Sequence, residues 1–375
     1  MEPNLKRQIE GKSSESKLIA TFQNKYFELL MTEAANTPIE NNDSGSFPLL
    51  HWVNPYLIDE GQAFFKKNLD SVLYAHFVGL TIAFSYKPIA SVLLRSGGTH
   101  VKYNARMRYL STILHLKKWY ESDLLRKSAK GAQDVNYVRK LHAKVLDLLL
   151  SDDSCVVDEE DLILTDEQEC LLKTLLSDAQ SSSAEELSAD FNSYDPEVLM
   201  SQLDMVLIQY AFMGFIAMAP ETFGIHDRMG LTGFIHIWAV IGTLLGIDDR
   251  FNLGLHQDQQ SLDLISQYLF VPCFKRLDEG VFVLWQGMFD GVGKFAPFLK
   301  LKPVLYFIYK DILKIPSTRL HASLSRYELF SYHRQAWNLN HAKRNYMMKQ
   351  VFNILTRIDI HFAAKKFMRN SPNIY

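Results

Sequence analysis

Residues 103–150 carry two runs of helical period, YNARMRYLSTILHLKKWY and DVNYVRKLHAKVLDLLL, with a polar break between them. No other feature constrains the fold as much. In the first run Arg108, Ser111, Thr112 and His115 recur at spacings of three and four, which places them on one side of a helix. In the second, Val138, Leu141, Val145 and Leu148 make an apolar face with His142 beside it. The link, SAKGAQD, is rich in Ser, Lys and Gly, and Asp134 is expected to cap the second helix. Helices joined this briefly lie antiparallel and side by side, so Arg108 and His142 can face one site. Taken alone, this is a helical hairpin bearing a histidine.

Helical period continues on both sides, and almost no run alternates with period two between turn signals, so the expected fold is all-α. One large domain from about residue 48 to 375 is expected, preceded by a polar segment, 1–47, that carries one peripheral amphipathic helix through Leu18, Phe22, Tyr26, Leu29 and Leu30. Residues 1–16 read as disordered. Asp59 is expected to cap a long helix containing His76, which reads as a buried structural histidine. Pro88 starts the next helix and Gly97 and Gly98 end it. Residues 151–197 hold fifteen Asp and Glu against one base, Lys173, and read as a solvated acidic insertion with a short helix over 167–176. Asp195 and Pro196 are expected to start the helix that follows, and Gly246 to end the one after it.

The apolar stretches 205–220 and 231–247 fall short of the roughly 20 residues of a span and carry Gln209 and His236, so both read as buried core helices. No signal peptide is recognisable in MEPNLKRQIEGKSSES, so an intracellular protein is expected, cytoplasmic or peripheral to a membrane. Three cysteines, with no CxxC among them, fit a reducing compartment. A net charge of −2 selects no partner class, and no nucleic-acid partner is expected. P-loop, HExxH, Glu-x-x-His and Gly-x-Ser-x-Gly patterns are missing from the sequence.

Arg108 with Thr112 four residues on, then VRKLHA over 138–143, resembles the catalytic domain of the MpaB and rubber (latex-clearing) oxygenase family. His142 follows Arg108 by 34 residues, as in the rubber-cleaving members. The resemblance extends to SQLDMVLIQYAFMGF, with Ser201 in place of an Asn, and to HIWAVIGTLLGIDD, with Ala239 where an Arg is common. It implies a globin-like, orthogonally packed helical domain around a haem pocket. It further implies haem b with His142 as proximal ligand, Arg108, Thr112 and Arg139 at the cofactor, and dioxygen as co-substrate. Ser111 stands where rubber-cleaving members carry a lysine, and PIASVLLR lacks their upstream acid, which argues against polyisoprene itself as substrate. His236 and Trp238 read as core packing, and His333 and His341 as a solvated basic face.

Residues 297–375 hold fourteen Lys and Arg against Asp311, Glu328 and Asp359. Interleaved with Phe, Tyr, Leu and Met, this end suits an anionic membrane surface, or the acidic insertion as an intramolecular partner. The sequence thus supports a haem-dependent oxygenase or oxidoreductase acting on an apolar, lipid-like substrate. A non-catalytic helical protein that binds lipid or a membrane surface is the alternative.

Overall fold

The computed structural model describes residues 24–39, 50–96, 102–151, 159–183, 198–256 and 258–367. In chain order the helices are Lys25–Thr32 (α1), Pro55–Ala83 (α2), Lys87–Arg95 (α3), Lys102–Glu121 (α4), Lys130–Leu150 (α5), Asp166–Gln180 (α6) and Gln202–Met218 (α7). Arg228–Leu245 (α8), Gln259–Ile265 (α9), Glu279–Val292 (α10), Leu301–Phe307 (α11), Thr318–Ser323 (α12), Arg326–Asn340 (α13) and Tyr346–Phe367 (α14) complete them. Five-residue π turns, Tyr210–Gly214, Ser266–Phe270 and Ile308–Ile312, interrupt α7 and extend α9 and α11. No strand occurs among the described residues; a single bridge pairs Pro38 with Ser201. The fold is all-α in one orthogonally packed domain, with α2 and α3 bent 96° apart.

α2 and α8 form the centre. α8 is apolar nearly all round, and Phe234, Ile237, Trp238 and Ile241 are fully enclosed, each worth about 1.5–3 kcal/mol relative to exposure. The two helices approach so closely that a Cβ at Gly61 would overlap the backbone of Gly233. Gly79, further along α2, has the same relation to the carbonyl of Ala211 in the α7 π turn. Only glycine permits either crossing. α8 is long and apolar enough to cross a membrane, yet 72% of it is buried inside the protein. The 205–220 stretch is likewise core, with Tyr210, Met213 and Phe215 enclosed.

Several expected boundaries move. α2 starts at Pro55, and Asn54 caps it by accepting the Tyr56 N–H; Asp59 lies inside the helix. An Asn followed by Pro supplies cap and first-turn residue together, which outweighs an Asp five positions after that Asn. α7 starts from Ser201, whose hydroxyl and Asp204 carboxylate bond each other's backbone N–H reciprocally. Asp195 and Pro196, expected in that role, lie outside the described residues, as do Gly97, Gly98, Leu18 and Phe22.

The domain also begins earlier than residue 48. Tyr26, Phe27 and Leu30 of α1 are buried, and the Tyr26 hydroxyl donates to the Phe251 carbonyl at 2.6 Å. The acidic segment contains the expected helix, but α6 is not a solvated element. It buries Leu171, Leu172 and Leu175, and its Asp178 accepts the N–H groups of Arg319 (3.1 Å) and Leu320 (2.8 Å) at the start of α12. Lys302 pairs with Glu167 at 3.3 Å, so the acidic segment does engage the basic end.

Candidate functional site

The α4–α5 hairpin has the predicted antiparallel course: Ser122 meets Gly131, Lys118 meets Asp134, and Arg108 approaches His142. Asp134 does not cap α5, which starts one turn earlier after Ala129. Instead its buried carboxylate accepts from His115 Nδ1 (2.7 Å), Lys118 Nζ (2.5 Å) and Trp119 Nε1 (2.8 Å), all on α4. Burial alone would raise its pKa, but the hydrogen bonds from His115 and Lys118 outweigh burial and lower it. This cluster fixes the register of the hairpin. At the other end Arg95 of α3 donates to the Leu149 carbonyl at 3.0 Å, where a cation suits the C-terminus of α5.

Arg108, Thr112 and His142 come together on one cavity of about 230 Å³. Its far wall is Met205, Gln209 and Phe212 of α7 with Trp238 of α8; the Phe212 and Trp238 rings stack 5.0 Å apart at 10°. Gln209, the polar break in an apolar run, holds that wall in place. Its amide donates to the Trp238 carbonyl (2.9 Å) and to Asn252 (2.8 Å) and accepts the Leu253 N–H (3.0 Å). Gln202 joins the ends of α7 and α8 by donating to the Gly246 carbonyl at 3.0 Å and accepting the Asp248 N–H at 3.1 Å. The SQLDM and GIDD stretches therefore meet through Gln202, outside the cavity.

His142 makes no hydrogen bond to the described residues, and its Nδ1 is fully enclosed without a partner. Burial, reinforced by the positive charge of Arg108, pushes the imidazole down to about 4, so it is neutral at neutral pH. Arg108 donates to the Ser96 hydroxyl at 3.4 Å. The Thr112 hydroxyl donates to the Arg108 carbonyl at 2.9 Å within α4, which commits its proton. Arg139 is not on the cavity wall; its guanidinium lies beside Gly246 at the C-terminus of α8. His236 faces away too, accepting the Asn54 N–H at 2.9 Å, while Trp238 two residues on lines the cavity.

A second cavity of about 370 Å³ adjoins the first, and Leu80, Tyr109, Thr112, Leu116 and Phe212 border both. Tyr109 sits at this junction with its hydroxyl enclosed and unpartnered, its pKa raised by burial. His76, buried as expected, lines the second cavity, and its Nε2 is 2.9 Å from the Tyr120 hydroxyl. The remaining walls come from α10, α13 and α14, and Phe298, Leu355 and Arg334 stand at its exposed rim.

Family models, characterised proteins and solved structures yield no match to the chain in any of the three comparisons. The functional case therefore stands on the cavity. Buried polar atoms in a native fold are nearly always bonded, and two unpartnered ones on adjoining cavities mark a place for a ligand. For haem, the donor set agrees in offering a neutral imidazole whose one basic lone pair is not engaged by the described residues, and a guanidinium in the same cavity. It differs in lacking the acceptor that usually orients an axial histidine from behind. The first cavity is smaller than the about 300–1,000 Å³ of typical small-molecule sites, so a macrocycle draws room from the second.

Proposed function

We propose that this chain is a haem b-dependent oxidoreductase or oxygenase acting on an apolar, lipid-like substrate, in the family that its hairpin resembles. The observation that carries the reading is His142: half-buried and neutral, with its Nδ1 enclosed and without a partner, on a cavity shared with Arg108. His142 would hold the iron, and Arg108 would meet a propionate or negative charge that develops nearby. Haem bound there supplies an iron centre for redox chemistry with dioxygen. Tyr109, rather than Thr112, holds the available proton donor, because the Thr112 proton is committed to its own helix. Phe212 and Trp238 keep water from the inner wall, and the larger cavity, walled by Tyr74, Phe77, Val292 and Ile360, takes an apolar chain. Arg139 has no part at this cavity.

Protein expressed with ample haem, or reconstituted with haemin, is expected to show a Soret band that His142→Ala removes without changing the melting temperature. Wild-type protein that stays colourless under those conditions overturns the reading. The apolar lining of the larger cavity favours a second reading, a lipid-binding protein without catalysis. A fluorescent fatty acid that binds haem-free protein stoichiometrically, with no Soret band under any condition, would select it.

A further inference from the structure

α14 is packed inside out. Met347, Val351, Ile354, Ile358 and Phe362 recur at spacings of three and four, so they form one continuous apolar stripe. That stripe faces outward, from 44% exposed at Ile358 to 76% at Met347. The opposite face, applied to the protein, carries Lys349, Asn353 and Thr356 along most of its length and Ile360 and Ala363 at its end, with Lys349 only 7% and Asn353 2% exposed. Specific bonds hold it that way round. α2 breaks helical geometry at Asn68, and Asn353 engages the gap, donating to the Lys67 carbonyl (2.9 Å) and accepting the Asp70 N–H (3.1 Å). Thr356 donates to Asp70 at 2.9 Å, and Lys343, in the turn before α14, reaches the same carboxylate at 2.5 Å. Rotating α14 to bury its apolar face would forfeit all of these contacts.

α13 repeats the arrangement, with Tyr327, Phe330 and Trp337 exposed and Ser331 and Asn338 buried. An exposed apolar surface of this extent, on two successive helices, marks an interaction site. Cations flank it: Arg357 and Lys365 follow Ile354 and Phe362 by three residues, and Arg334 and Arg344 are exposed on the α13 side. The mouth of the larger cavity lies between the two helices, with Arg334 from one and Leu355 from the other on its wall.

We propose that α13 and α14 together form a docking surface for anionic phospholipid bilayers, with the apolar side chains entering the acyl region and the cations at headgroup level. The cavity mouth then opens toward the hydrocarbon, and an acyl chain passes into it without crossing water. Charge selects the bilayer over a second copy of this chain. Arg334, Arg344, Arg357 and Lys365 are exposed beside the apolar stripe, and a two-fold self-contact would set two such faces against each other. The proposal holds with or without haem.

The full chain is expected to co-sediment with mixed phosphatidylcholine–phosphatidylserine vesicles, about tenfold more tightly than with phosphatidylcholine alone, and to lose that preference in high salt. Trp337 is exposed, unlike the enclosed Trp238 and Trp285, so lipids brominated on the acyl chain should quench tryptophan emission in wild type and much less in Trp337→Phe. The pair Ile354→Glu and Phe362→Glu should abolish vesicle binding with an unchanged melting temperature. A protein that ignores anionic vesicles while folded and monodisperse overturns the proposal. So does a vesicle-independent dimer in solution that Ile354→Glu dissociates, which would assign the face to self-association.

Discussion

α8 and α14 are both long helices rich in apolar residues, and the protein uses them in opposite ways. α8 turns its apolar surface inward and is enclosed by α2 and α7, with its polar ends tied by Asp227, Gln202 and Asn252. α14 turns its apolar surface outward and is held by Asn353 and Thr356 on the broken turn of α2. α8 holds one charged residue, Arg228, whereas α14 interleaves Lys349, Arg357, Asp359, Lys365 and Lys366 with its apolar ones, and it lies where the broken turn of α2 leaves backbone groups unbonded. A helix lies with its polar face inward when that face alone can satisfy a buried N–H and carbonyl.

The largest test replaces one isoleucine in each helix. Ile237→Asp buries an unpaired carboxylate in α8 and is expected to cost more than about 4 kcal/mol, enough to prevent folding. Ile354→Asp on α14 should stay within about 0.5 kcal/mol in chemical denaturation. Equal losses would mean that the α14 face is covered.

The second test uses pH. Burial holds His76 near 3, well below the 6.5 of an unfolded histidine, so between those values the unfolded chain binds the extra proton. Its contribution is complete above pH 6.5 and is lost progressively as pH falls toward 3, a loss of about 4–5 kcal/mol by 1.36 kcal/mol per unit. Lys349, on the inner face of α14, is lowered to about 8 by burial and by Lys343 and Lys67, so stability should likewise rise with pH between about pH 8 and 10.5. Thermal melts across both windows should show an acid slope that His76→Phe flattens and an alkaline one that Lys349→Met flattens.

Gly79→Ala comes next. The added methyl meets the Ala211 carbonyl with nowhere to go, and a cost of about 1–3 kcal/mol is expected in urea denaturation. Comparable in size and the most discriminating is Asn353→Leu. It puts an apolar side chain into a buried position, yet a loss of about 1–3 kcal/mol is expected because the Lys67 carbonyl and the Asp70 N–H lose their partner. A stabilised Asn353→Leu would refute the account of how α14 is oriented.

The hairpin and its cavity were legible in the spacing of Arg108, Thr112 and His142, because on neighbouring antiparallel helices period and chain order determine what can meet. The role of Asp134 was not, since its three partners lie on α4 and nothing local distinguishes a capping aspartate from a cross-helix one. Leu171, Leu172 and Leu175 carried the signal that α6 packs, but the acidic composition around them concealed it. The stripe on α14 was equally visible as a period; whether it points in or out depends on the kink at Asn68, more than 280 residues earlier in the chain. Arg139 lies one turn before His142 on the same side of α5, yet its long side chain reaches the end of α8 and not the cavity.

The π turn in α7 has one more consequence. Its five residues include Phe212, which stacks on Trp238 and borders both cavities. A π turn is an α-helix that has accepted one surplus residue, and each residue of helix represents about 100° of rotation. Deleting Ala211 alone would restore regular pitch while the helix beyond keeps its direction, so the rearrangement would fall on the turn that carries Phe212. The partition between the two chambers could thus be rebuilt by removing a single codon, a shorter route to altered ligand size than any series of side-chain replacements.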